Sequence, residues 1–137
     1  MVRFVLEMDF VTMPPPSAHA SEVLPEQVLV SSTPFTKHND EYYDWIPGPG
    51  ERLRFECEFI PEGAGSSNHG ICRTSFGQDL LGGMTMIGFD LKIVPHPGNY
   101  ILQVTGYLLR EGMEPIALKR ISSGPIQVLD PRPRRAT

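Results

Sequence analysis

Cysteine is nearly missing from this chain. Its 137 residues hold two, Cys57 and Cys72, too few for the disulfide framework of a small secreted domain and without the Cys-x-x-Cys spacing of a zinc site. A reducing compartment is the expected setting. Long apolar runs are missing too: apolar stretches such as Leu80 to Phe89 reach about half the ~20 residues that a membrane-spanning helix needs. Positive charge is not in excess, with 12 Lys and Arg against 16 Asp and Glu and a formal charge of −4. Binding to nucleic acid or anionic lipid would therefore rest on a local basic patch. Asn39, Asn68 and Asn99 all lack the hydroxyl residue that would make them glycosylation acceptors. The opening MVRFVLEMDFVTMPPPSAHA imitates a signal peptide, down to Ala18-His19-Ala20 at the cleavage-like end. Glu7, Asp9 and the triplet Pro14 to Pro16 interrupt it, so secretion is not expected. Nor does any ten-residue stretch show a helical apolar stripe.

What the chain has in quantity is turn residues. It carries 13 glycines and 14 prolines, well above the usual combined share of ~12%, and they fall between apolar runs. ERLRFECEF, Glu51 to Phe59, alternates Leu53, Phe55, Cys57 and Phe59 with Arg52, Arg54, Glu56 and Glu58, which predicts a strand with one dry and one wet face. HPGNYILQVTGYLL, from His96 to Leu109, places Tyr100, Leu102, Val104 and Leu108 on one side and Ile101, Gln103, Thr105, Tyr107 and Leu109 on the other. Two largely apolar faces predict a central strand, with Gly106 marking a bulge or a close backbone approach. Further strands are expected in QVLVSS from Gln27, MTMIGFDLKIV from Met84, IALKRI from Ile116 to Ile121 and SSGPIQVLD from Ser122. Many short strands without helices predict an all-β fold, an antiparallel immunoglobulin-like β-sandwich over residues 23–130. Residues 1–22 are expected to be a flexible Pro-rich segment, and 131–137 a short basic tail.

Candidate chemistry is sparse. GAGSSNHG, Gly63 to Gly70, offers serines and a histidine among glycines, yet it matches neither a nucleophile elbow nor a dinucleotide fingerprint and reads as a loop. His19, His38, His69 and His96 are scattered, so no metal site, cofactor or small-molecule substrate is expected, and no enzymatic activity. Cys57 reads as a small core hydrophobe. A disulfide to Cys72 requires that the strands carrying the two cysteines face each other. KHNDEYYDW, Lys37 to Trp45, gathers Tyr42, Tyr43 and Trp45 among acids without the spacing of a calcium loop. Its rings are either a partner-binding patch or caps over the open end of the sandwich. The candidate nucleic-acid contacts are Arg52, Arg54, Lys119 and Arg120, and in the tail Arg132, Arg134 and Arg135. That tail fits a nuclear address, a phosphate contact or a solvated end.

Four segments in fixed order resemble the C-terminal half of the velvet domain, a fungal regulatory module. They are Leu80-Leu81-Gly82-Gly83, Phe89-Asp90-Leu91-Lys92-Ile93, Gly98-Asn99-Tyr100-Ile101-Leu102 and Ser123-Gly124-Pro125-Ile126-Gln127-Val128. The chain departs from that family upstream, where MPPPSAHASEVLPEQVLV carries no arginine cluster. The resemblance implies a Rel-homology-like β-sandwich. It also implies a transcriptional regulator of fungal development and secondary metabolism, located in the nucleus and cytoplasm. Such a regulator would pair with itself or another velvet protein and would contact double-stranded DNA, with no membrane involved.

Overall fold

The computed structural model describes residues 3–44, 50–62, 71–72, 78–79 and 84–131, with 44, 71–72 and 78–79 described by backbone only. These residues form strands and no helix: β1 (Arg3–Phe10), β2 (Ser17–His19), β3 (Val28–His38), β4 (Glu41–Asp44), β5 (Glu51–Pro61), β6 (Ile71–Cys72), β7 (Gln78–Asp79), β8 (Thr85–Phe89), β9 (Gly98–Arg110) and β10 (Ile116–Leu129). The first sheet has the order β1-β3-β8-β7, with β4 pairing the far end of β3, and the second has the order β2-β10-β9-β5-β6. All pairings are antiparallel except β2 with β10, which is parallel. The expected all-β class therefore holds, while the expectation of a wholly antiparallel arrangement is corrected at this one pair.

Period-two patterning accounts for the central strands. In β5 the side chains of Phe55, Cys57 and Phe59 are buried, and Arg52, Arg54, Glu56 and Glu58 lie toward solvent. β5 pairs with β9 without a slip from Glu51 opposite Arg110 to Pro61 opposite Tyr100. On β9 itself Tyr100, Leu102, Val104 and Leu108 face the core, as its alternation predicts. Phe59, Leu102 and Val104 from this sheet share one cluster with Val30, Ile87 and Phe89 from the other. Each such side chain contributes roughly 1.5–3 kcal/mol by leaving water. Gly106 lies where the two sheets approach closely. A Cβ there would lie 3.0 Å from Met8 Sδ and 3.2 Å from Phe55 Cε1, and would overlap the Leu6 side chain outright.

The N-terminal segment is not the loose tail that its prolines suggest. Phe4, Leu6, Met8 and Phe10 alternate with Arg3, Val5, Glu7 and Asp9, and Leu6 and Met8 are buried. β1 runs against β3 from Arg3 opposite Lys37 to Phe10 opposite Val30. Residues 17–20 continue onto the second sheet: Gln127 N–H donates to Pro16 C=O (2.9 Å), and Ala20 N–H donates to Leu129 C=O (2.8 Å). Ala18 and Ala20, small enough to mimic a cleavage site, are buried there.

IALKRI and SSGPIQVLD also differ from expectation, because they form one strand. β10 absorbs the break as two register shifts against β9, between Ala117 and Lys119 and between Ser122 and Pro125. At the second shift the buried Ser123 hydroxyl accepts from Leu102 N–H (3.0 Å) and donates to Gly124 C=O (2.9 Å), standing in for the missing ladder bond. MTMIGFDLKIV is strand only to Phe89. Leu91, Ile93 and Val94 stay buried beyond it, and Lys92 bridges Val23.

Candidate functional site

Local turn chemistry positions the tyrosines. Asn39 (φ 49°) and Asp40 (φ 64°) are both left-handed, the conformation of a two-residue hairpin turn that Asn and Asp tolerate best among residues with a Cβ. The turn folds β4 back on β3, with His38 opposite Glu41, Lys37 opposite Tyr42 and Thr36 opposite Tyr43. Successive side chains on a strand point to opposite faces, yet Tyr42 is 56% exposed and Tyr43 50%. Both faces of β4 are thus wet at these positions. Tyr42 stands edge-on to Phe35, with centroids 6.1 Å apart, and Lys37 Nζ lies 5.6 Å from its centroid. The Tyr43 hydroxyl donates to the Glu41 carboxylate. That bond raises the Tyr43 pKa above the ordinary tyrosine range, with a smaller desolvation effect in the same direction. Trp45 lies outside the described residues.

Register brings three of the basic candidates together. In an antiparallel sheet, residues opposite one another share a face. Arg54 lies opposite Tyr107, which lies opposite Ala117; Glu56 lies opposite Thr105, which lies opposite Arg120; Arg52 lies opposite Leu109. Arg52, Arg54 and Arg120 therefore share the outer face of the second sheet. Sequence inspection could not assemble this face, because β10 joins it across a bulge and from more than sixty residues away. Arg54 is engaged by Glu56 in an ion pair, and Arg120 Nε donates to Thr105 Oγ1 (3.2 Å). Glu56 and Glu58 interrupt the positive charge. Lys119 is exposed beside the first register shift, opposite Gly106. Arg132, Arg134 and Arg135 lie outside the described residues, as do GAGSSNHG and the Leu80-Leu81-Gly82-Gly83 segment.

Three further arrangements bear on function. The Tyr100 hydroxyl donates to His96 C=O (2.8 Å), tying the start of β9 to the turn that precedes it. Cys57 and Cys72 are register partners on β5 and β6, the strand relation that a disulfide between them requires. A cleft of about 330 Å³ opens between residues 12–18 and 22–28, with Met13, Glu22, Leu24 and Glu26 among its lining residues. Among the described residues no three of His, Cys, Asp and Glu are grouped to hold a metal ion, and no helix is long and apolar enough to cross a membrane. Neither a protein-family model nor a curated protein matches the chain.

Proposed function

We propose that this chain is a non-catalytic protein-interaction module on an immunoglobulin-like β-sandwich, engaging its partner through the tyrosines of β4. The observation that carries it is the pair of half-exposed rings on a four-residue strand. Tyrosine supplies large contact area at low entropic cost, and a rigid hairpin leaves little to order on binding. Strand order supports the immunoglobulin-like frame. β1-β3-β8-β7 follows the order A-B-E-D, and β10-β9-β5-β6 follows G-F-C-C′. The Tyr100 hydroxyl bond near the start of β9 supports it too, because a tyrosine in that place closes back on upstream backbone in such folds.

The resemblance to the velvet family gives the module a setting. In it the chain is a nuclear and cytoplasmic regulator that pairs with itself or a second velvet-like chain in fungal development and secondary metabolism. A second reading, direct contact with double-stranded DNA, is favoured by one observation, the shared face of Arg52, Arg54 and Arg120. The interleaved glutamates weigh against it.

The test is the double change Tyr42→Ala/Tyr43→Ala. Sedimentation should detect self-association, or co-precipitation from the native source a second chain, and the double variant should weaken either by tenfold or more. Its melting temperature should stay close to that of the parent. A variant that melts early but pairs normally would assign the rings to the scaffold.

A further inference from the structure

Cys57 lies on β5 with 1% of its surface exposed, facing the core. On one side its register partner is Val104 of β9. On the other it is Cys72 of β6, the two-residue strand at the edge of the second sheet. Directly opposed residues in an antiparallel pair have Cα atoms ~4.5–5.5 Å apart and occupy the same face of the sheet. That spacing lies inside the range a disulfide spans. The pair is also placed where a bond would matter, because among the described residues β6 meets β5 at Cys57 with Cys72 and at Glu58 with Ile71.

We propose that Cys57 and Cys72 are a redox pair that closes a cross-strand disulfide by exchange with a small disulfide of the glutathione class, and that closure pins β6 to the edge of the second sheet. The thiolate of Cys72, on the edge strand, attacks one sulfur of the small disulfide. A mixed disulfide forms and one small thiolate leaves. The Cys57 thiolate then attacks the Cys72 sulfur, the protein disulfide forms and the second small thiolate leaves. Two protein thiols are oxidised and one small disulfide is reduced to two thiols, which take up the two protons released. The closed loop runs from residue 57 to residue 72. β5 also carries Arg52 and Arg54, so the bond would stiffen the strand that underlies the basic face.

The full chain is equilibrated in graded mixtures of reduced and oxidised glutathione, quenched in acid, alkylated with N-ethylmaleimide, and read by intact mass and peptide mapping. The expected result is one species in which the Cys57 and Cys72 peptides are joined within a monomer, with a melting temperature raised by roughly 5–10 °C. Cys72→Ser, a change at the sheet edge, should abolish both the joined species and the redox dependence of melting. Cys57→Ala should do the same, with its fold checked by circular dichroism. Full alkylation of both cysteines in the folded chain under every mixture overturns the proposal, as does a bond that forms only in urea or only between chains. A joined species that melts no higher than the reduced one overturns the pinning.

Discussion

Gly106 shows how one missing methyl group fixes the spacing of the two sheets. Its backbone lies against Leu6, Met8 and Phe55 at once, and a well-packed core resists added volume. Gly106→Ala should lower unfolding free energy by ~1–3 kcal/mol in urea titration. Combining it with Leu6→Ala should cost less than the sum of the two, because the second change vacates the space the first one fills. Tyr43 makes a different kind of prediction. Its pKa is raised by the bond to Glu41, so the neutral phenol is the form the folded chain favours. Any stability from that bond is present below the ordinary tyrosine pKa and is lost as pH rises through the raised value. Followed by phenolate absorbance, Glu41→Ala should ionise one tyrosine at lower pH than the parent does.

At the scale of the element, β1 separates what sequence pattern reveals from what it hides. β5 and β9 are legible because each repeats its pattern over many residues, and one apolar face of each meets the core. β1 has the same alternation in Phe4, Leu6, Met8 and Phe10, but the likeness of its surroundings to a signal peptide and the prolines that follow obscured it. β2 has no readable period in three residues and exists through its bonds to β10. The β4 hairpin was signalled by Asn39-Asp40, two residues that accept a left-handed backbone. The basic face was not legible at all, since it depends on register across three strands. Because β1 is packed and not loose, Leu6→Ala should destabilise the chain by ~2–5 kcal/mol. Val11→Ala, half exposed just beyond the strand, should change stability by less than ~0.5 kcal/mol. Denaturant titration of the two variants checks both.

For the whole molecule, net charge sets the limit on DNA contact. The chain carries −4 overall, and on its outer basic face Arg54 is already engaged by Glu56. Of the candidate phosphate contacts on the described surface, Arg52, Lys119 and Arg120 remain. A chain ending at Pro131 should therefore bind duplex, if it binds at all, with log affinity against log salt no steeper than a slope of about −3. A steeper slope in fluorescence anisotropy would locate a larger basic surface. Connectivity carries a consequence for the order in which the protein assembles during synthesis. Every strand of the first sheet has been synthesised once Phe89 has been added. The second sheet must wait, because Ser17, Ala18 and His19 pair in parallel with Gln127, Val128 and Leu129, the end of the last strand. Residues 17–19 thus stay uncommitted on this sheet until residues 127–129 have been made. Pairings this distant in sequence make for slow folding, so the closing of β2 onto β10 is the step at which a nascent chain is most exposed to misassembly.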